Sequence, residues 1–336
     1  MMRQPSVVTG VGLAVAGLAT GTSLMSVDSI DGGFDPLVDL GGPQMRHKDR
    51  ASRLALRSVE RAFADAGRSA GTAGSVDHAT TATVVSSNYG NLDTVCEFTD
   101  RIAELSTAGL SPLGLPHVSS NAIAGWIAIR HRLHGPNITL CNGRTSGIDA
   151  LYWADNLIGV GRADAVVVVG VEPDTRQVRR LLRAGPDVQV LDGAAAVILE
   201  SEAYAANRQA RARAVLGSRS RAADIDQVVA MFRDETPMPG LWLTPSALPP
   251  DTSPLVSVLD LTQQLGECSG ALGVLQCVAA VAHLDSGDPG PIYATCGGGP
   301  RGDLATMRFL RPRDLATTPF PVRHHAGNFP LDQEGR

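Results

Sequence analysis

Residues 137–151 read NITLCNGRTSGIDAL, a β-type run that breaks at Asn142-Gly143 into a stretch with helical spacing. Many enzymes expose a nucleophile at such a break, because the turn presents one side chain and the following helix N-terminus stabilises its anion. The residue presented here is Arg144, a cation that the same helix end disfavours. A guanidinium cannot attack a carbonyl, so a nucleophile would have to come from elsewhere. Cys141 lies three residues upstream, on the strand, and Cys268 stands beside Glu267; free cysteines of this kind are most often small buried core residues. Ser146 has no evident base to activate it.

Positioning such a break takes a framework of strands and helices, and the sequence alternates them. SVVTGVG, ATTATVVSSNYG, NITLCN, DAVVVVGVE and LDGAAAVILESE read as strands, the last two as buried ones without polar alternation. DRASRLALRSVERAFADAG, AIAGWIAIRHRLHG and TSGIDALYWADNLIGVGRA carry helical spacing, the second expected to end at Gly135. Tyr204 to Pro254 reads as a looser stretch holding an Arg-rich segment, a short helix DIDQVVAMFRDE and the Pro-rich PMPGLWLTPSALPPDTSP. Beyond it, LTQQLGECSGALGVLQCVAAVAHLDSG reads as a buried helix rich in small residues, and PIYATCGGG and LATMRFLRP as strands. The tail TTPFPVRHHAGNFPLDQEGR reads as peripheral. Its His324 and His325 lack the partnered Cys or carboxylate spacing of a metal site, so no metal is expected.

Hydrophobic residues at 43% and charged residues at 19% are the balance of a soluble chain with a sizeable core. With 29 Lys and Arg against 34 Asp and Glu, there is no basic footprint for nucleic acid. Cys96, Cys141, Cys268, Cys277 and Cys296 show no CxxC spacing, which indicates neither a disulfide framework nor a zinc site and fits a reducing cytosol. Glycines interrupt the apolar run that follows Arg3, so that run is read as a first strand and turn rather than a leader. No run reaches the ~20 apolar residues that span a bilayer, and a cytoplasmic location without membrane contact is expected.

In order along the chain, several segments resemble parts of the β-ketoacyl synthases. SVVTGVGLAVAG is similar to the family's opening strand and turn, and NAIAGWIAIRHRLHGPNITLCNGRTSGIDAL to its long helix, Gly-Pro link and nucleophile elbow. GRADAVVVVGVE and DGAAAVILE resemble two core strands, LGECSGALGVLQCVAAV the Gly-His-x-x-Gly-Ala-Ala-Gly helix, and YATCGGGP the Gly-Phe-Gly-Gly turn. This resemblance, which covers most of the chain, implies an α/β, thiolase-like fold with duplicated αβαβα layers and mixed five-stranded sheets, truncated in the second half. Residues 1–203 would form the N-terminal ketosynthase-like half and residues 204–336 a shortened C-terminal half.

The departures from the family carry the functional expectation. At the position of Arg144 the family has its acyl-accepting cysteine, and Glu267 replaces the histidine of the later helix. The remaining family histidine lies in an Asn-Ala-His-Gly-Thr turn, matched best here by LWLTPS, which puts Pro245 near it. Condensation needs a thiolate to hold the acyl chain and imidazoles that donate to the thioester carbonyl during decarboxylation. With all three roles lost, the resemblance points to the catalytically dead branch, the chain-length factors (ketosynthase beta subunits) of type II polyketide synthases. It implies no intrinsic condensing activity, no cofactor, a heterodimer with an active ketosynthase, acyl carrier protein met through that complex, and a tunnel shaped for the growing polyketide chain. The short form leans toward highly reduced, polyene-type products.

Since elbow and Gly-His helix share one pocket in active relatives, Arg144 and Glu267 are expected to face each other as a buried ion pair. LSPLGLPHVSSNAIAG aligns with the family's interface-crossing segment, which makes Leu113, Leu115, His117, Val118 and Ser119 the tunnel or gate candidates and Trp126 a candidate plug. Two other readings stay open: a thiolase-fold acyltransferase or decarboxylase using Cys141 or Glu267, and a homodimeric acyl-binding scaffold.

Overall fold

The computed structural model describes residues 5–26, 34–45, 48–68, 80–233, 238–245, 256–287, 290–298 and 303–312. In chain order these form β1 (Ser6–Val15), α1 (Pro36–Asp39), α2 (Arg50–Asp65), β2 (Thr81–Ser86), α3 (Leu92–Leu105), α4 (Ala122–His131), β3 (Asn137–Leu140) and α5 (Ser146–Gly159). There follow β4 (Ala165–Glu172), α6 (Arg176–Leu182), β5 (Gly193–Ser201), α7 (Glu202–Asn207), β6 (Ala214–Ala222), α8 (Ile225–Arg233) and β7 (Leu241–Leu243). The last are β8 (Ser257–Leu259), α9 (Thr262–Leu265), α10 (Leu272–Asp285), β9 (Ile292–Gly297) and β10 (Leu304–Leu310).

The described strands make one ten-stranded sheet in the order β3-β2-β4-β5-β1-β6-β10-β9-β7-β8, and that order contains the same unit twice. In the first unit β2 runs parallel to β3 and β4, while β5 is antiparallel to both β4 and β1. The second repeats this, with β7 parallel to β8 and β9, and β10 antiparallel to β9 and β6. Among the described strands, Val7↔Val215 and Val8↔Ala214 join the units, through β1 and β6. This is the duplicated, mixed five-stranded architecture expected from the resemblance. The second unit is the smaller, with β7 and β8 of 3 residues each against 6 and 4 for β2 and β3, and with α8 of 9 residues against 16 for α2.

Layering follows from what each helix buries. α2 packs on β1, β5 and β4, with α4 beside it on β2 and β3, covering the outer face of the first unit. α8 covers the other outer face, setting Val228 and Phe232 against Trp242 and Tyr293. α5 and α10 touch strands of both units and form the middle layer. The strands between two helical layers are buried on both faces, which is why β4 reads as an unbroken AVVVVGVE. The middle helices meet backbone to backbone. A Cβ on Gly147 would lie 2.7 Å from the Gly273 nitrogen, and one on Gly273 2.4 Å from the Ile148 nitrogen.

Three local expectations need correction. α4 ends at His131 rather than at Gly135, because Arg132 adopts the left-handed conformation (φ 53°) and its neighbour Leu133 donates back to Ala128 O at 2.9 Å. The stretch from Tyr204 is not loose: it contains the nine-residue β6, whose Arg219 and Arg221 disguise a strand pairing with β10. The segment expected as one long helix from Leu261 is divided into α9, a 3-10 turn at Ser269–Ala271 and α10, with Gly266 at φ 76° between them. His324 and His325 lie outside the described residues.

Candidate functional site

The break after β3 is built by its own polar side chains. Gly143 takes φ 90°, a conformation that suits glycine. The Asn142 amide donates to Ser146 Oγ at 2.9 Å, and that hydroxyl donates to Asn142 Oδ1 at 2.6 Å, so Ser146 is spent on the turn. Asn88, at the end of β2, grips the same turn from the side. Its Nδ2 donates to Gly143 O at 3.0 Å and its Oδ1 accepts from Gly143 N at 3.1 Å. Nδ2 also donates to Ser269 Oγ at 2.8 Å, so one asparagine ties the break before α5 to the turn before α10.

Arg144 and Glu267 meet where those turns meet, Arg144 Nη2 donating to Glu267 Oε2. Glu267 is held by its backbone, donating from N to Gln189 O at 3.0 Å and accepting at O from Leu191 N at 3.0 Å. Its Oε1 accepts from Ser269 N at 3.0 Å. The carboxylate supplies the negative charge that an arginine at a helix N-terminus lacks. The pair departs from the sequence reading in burial: the Arg144 side chain is 50% and that of Glu267 26% exposed. A solvated pair of this kind contributes ~0–1 kcal/mol. Glu267→Lys should therefore leave the isolated chain folded, with an urea midpoint near the parent's; loss of the cooperative transition would show the pair to be structurally essential.

Beneath the turn lies a cluster around the buried Asp149 that sequence reasoning missed. Asp149, in the first turn of α5, accepts from Arg219 Nη2, from Arg221 Nη2 at 2.9 and 2.8 Å, from Asn142 Nδ2 at 2.6 Å and from Thr145 Oγ1 at 2.9 Å. Arg219 also stacks 4.5 Å from the Tyr152 ring centroid. The usable signal was the spacing Arg219-x-Arg221, which puts both guanidiniums on one face of a strand.

Glu172, the last residue of β4, is buried and was likewise missed. It accepts from Asn88 N (2.7 Å), Tyr89 N (3.0 Å), Gly270 N (3.1 Å) and Ser87 Oγ (3.3 Å). Burial outweighs these bonds and pushes its carboxyl up to about 7. The two candidate thiols differ in setting: Cys268 is buried as expected, whereas Cys141, also expected in the core, is exposed, because it follows β3 at the edge of the sheet. Desolvation first and the Glu172 charge second push Cys141 above its ordinary value. Buried Cys268 is raised further, by desolvation and then by Glu267, Asp260 and Glu172. Raised thiols are poor nucleophiles at neutral pH.

The other sequence candidates lie apart from this pair. Leu113 falls in the 3-10 segment Pro112–Val118, its side chain outside the described residues; Leu115 is exposed, His117 and Val118 are half-buried, and Ser119 is exposed. Trp126 is half-buried on α4, donating from Nε1 to His117 Nδ1 at 3.4 Å beneath Lys48 Nζ, 4.1 Å above its ring. Val118 O accepts from Asn91 Nδ2 at 2.8 Å, anchoring this segment next to α3. Pro245 follows β7 and is half-buried; its neighbour Thr244 accepts from Gln276 Nε2 of α10 at 3.2 Å. Among the described residues no group of three or more His, Cys, Asp or Glu is arranged to hold a metal, and no helix is long and apolar enough to cross a membrane.

Comparison with known proteins agrees with this geometry. The model of the β-ketoacyl synthase N-terminal domain matches residues 14–186. The 3-oxoacyl-[acyl-carrier-protein] synthase 2 of Rhizobium meliloti (strain 1021) is 28% identical over 145 residues, 43% of this chain and 34% of that protein. That of Vibrio cholerae is 32% identical over 88 residues, 26% of this chain and 21% of that protein. The match thus spans about a third or less of these curated relatives. Among solved structures, the ishigamide ketosynthase/chain length factor superposes with TM-score 0.69 at 21% identity, covering 91% of this chain and 99% of that one. The AntDE:AntF complex, a type II polyketide synthase acyl-carrier protein with its ketosynthase bound to the hexaketide, gives 0.73 at 16%, covering 92% and 100%. Residue for residue these structural likenesses are distant and speak for the fold, while the family model spans more than half of the sequence: the chain belongs to the β-ketoacyl synthase family.

Proposed function

We propose that this chain is a non-catalytic chain-length factor that pairs with an active ketosynthase, stabilises it and shapes the tunnel for the growing polyketide in type II, highly reducing polyketide synthesis. The observation that carries the reading is the occupant of the elbow. Where the resemblance puts an acyl-accepting thiolate, Arg144 is ion-paired to Glu267, and the neighbouring thiols are raised away from reactivity. On this reading residues 1–203 and 204–336 are the two ketosynthase-like halves, and Arg144, Glu267 and Pro245 are the three lost catalytic positions.

Exposed apolar side chains support a partner. Ile129 on α4, Trp153 on α5 and Val160 just after it stand uncovered on elements that pack on the edge strand β3, as do Val95, Ile102 and Leu105 on α3 and Leu115 in the segment between α3 and α4. The active ketosynthase is the occupant proposed for that side, with acyl carrier protein reaching the complex through it, in the cytoplasm and without a cofactor or metal in this chain.

Co-expression with an intact ketosynthase, followed by size-exclusion chromatography and mass analysis, tests the reading. A 1:1 heterodimer should form, whose condensing activity is lost with the partner's cysteine and survives Cys141→Ala here. A homodimer that ignores ketosynthases would support the scaffold reading, and turnover by the isolated chain the acyltransferase or decarboxylase reading. Within the complex, Ser119→Phe should shorten the product chain; unchanged product length would remove Ser119 from the gate.

A further inference from the structure

Asn142-Gly143 is the one place in the sequence where asparagine precedes glycine. Such a pair is intrinsically labile, because no side chain on the second residue hinders its nitrogen from closing on the asparagine side-chain carbonyl. Nothing around Gly143 crowds that approach. A Cβ there would meet no atom within 4 Å, and Asn142, Gly143 and Arg144 are exposed to water. What holds the pair back is the pattern of hydrogen bonds at the elbow.

Each group that has to react is engaged in an opposing way. The nucleophile would be Gly143 N stripped of its proton, yet that N–H donates to Asn88 Oδ1 at 3.1 Å. Deprotonation would leave an amide anion facing a carbonyl oxygen. Asn88 cannot turn its amide over to relieve this, since its Nδ2 donates to Gly143 O at 3.0 Å and to Ser269 Oγ at 2.8 Å. The leaving group is Asn142 Nδ2, which needs a proton to depart as ammonia. It donates instead, at 2.6 Å, to Asp149, and a carboxylate already paired with Arg219 and Arg221 has no proton to give. Ser146 Oγ donates to Asn142 Oδ1 at 2.6 Å and accepts from Asn142 N at 2.9 Å, which tethers the side chain to α5 on the side of its own amide nitrogen.

We propose that Asn142 is a latent modification site, a labile amide that Asn88, Ser146 and Asp149 guard and that deamidates when the turn opens. On opening, Gly143 N gives up its proton and bonds to Asn142 Cγ. The Cγ–Nδ2 bond breaks, and the amino group leaves with that proton as ammonia. Water then opens the resulting imide ring at one of its two C–N bonds, giving either an aspartyl or an isoaspartyl residue. Either product puts a carboxylate where an N–H donor now meets Asp149. The isoaspartyl form also lengthens the main chain by one methylene just before the residue that pairs with Glu267, so the link between Arg144 and its partner turn loosens. On the partner reading above, a subunit seated on the β3 side would cover this turn and preserve the amide, and modified chains would accumulate among unpartnered ones. The site itself belongs to the isolated chain, so a failed heterodimer assay leaves it untouched.

Peptide mapping by mass spectrometry after incubation in mildly alkaline buffer tests the site. The free peptide 137–147 should deamidate at Asn142, and the folded wild type should do so more slowly by about tenfold or more. Asn88→Ala, with its fold checked by circular dichroism, should react faster than the wild type by about tenfold, the scale of the hydrogen bonds removed. An inert peptide, a folded wild type that reacts at the peptide's rate, or a folded Asn88→Ala no faster than the wild type would each overturn the proposal. Should Asn88→Ala not fold, Ser146→Ala takes its place with the same expectation. Should neither fold, the wild type decides: in unfolding urea it must react at the peptide's rate, and on refolding it must regain its protection.

Discussion

Glu200→Ala should lower the free energy of unfolding by about 3–5 kcal/mol, a large share of the ~5–15 kcal/mol that ordinary chains have. Arg68 and Glu200 form an ion pair at 2.9 Å with both side chains fully buried. Arg208 Nε adds contacts to the same carboxylate at 3.1 and 2.8 Å, and its Nη1 donates to Ala66 O at 3.0 Å. Arg68 Nη2 donates in turn to Tyr204 Oη at 3.0 Å, so the end of α2, the end of β5 and α7 converge on one carboxylate. Removing it leaves a guanidinium buried without compensation, which costs far more than the intact pair is worth. Urea unfolding followed by circular dichroism measures the loss. A change below ~1 kcal/mol would mean that water reaches Arg68 once Glu200 is gone.

The second large effect concerns the helix crossing beneath the elbow. Gly273→Ala should destabilise by about 1–3 kcal/mol, because the added methyl would lie 2.4 Å from Ile148 N and 2.7 Å from Gly147 C, backbone atoms that cannot swing aside. The variant would have to push α10 away from α5, and with it the turn carrying Glu267 from the turn carrying Arg144. Gly125→Ala on α4 is the matching control. A Cβ there meets nothing within 4 Å, so the gain in helix propensity of up to ~1 kcal/mol should appear as stabilisation. Equal urea midpoints for the two variants would contradict the rigid crossing.

How much of this was legible depends on whether a residue's role is local. β4 and β5 could be read directly, since strands buried on both faces become continuous apolar runs. β6 could not: the charges of Arg219 and Arg221 are matched by Asp149 on α5, some seventy positions upstream, a pairing no window reveals. The meeting of Arg144 with Glu267 followed only from family resemblance. Their exposure did not, because it depends on how far the two turns stand clear of the core. Asn88 and Glu172, which organise both turns, bind mainly backbone groups, and such roles leave no spacing pattern. The end of α4 was misplaced because an arginine, rather than the glycine that favours the left-handed conformation, closes the helix.

The place of β1 in the sheet has a consequence for biosynthesis. Its neighbours are β5 and β6, so Ser6 finds its partner in Ser201, and Val7 and Val8 find theirs in Val215 and Ala214. At ribosomal rates the first strand must wait on the order of 10–40 s before the strand it pairs with has been made. Throughout that interval the mostly apolar ten-residue segment Ser6–Val15 has no strand to pair with, although α2, which packs on it, is made far sooner. Nascent chains of this protein should therefore depend on chaperone holding more than their finished stability suggests, and low growth temperature or added trigger factor should raise soluble yield more effectively than a mutation that stabilises the completed fold.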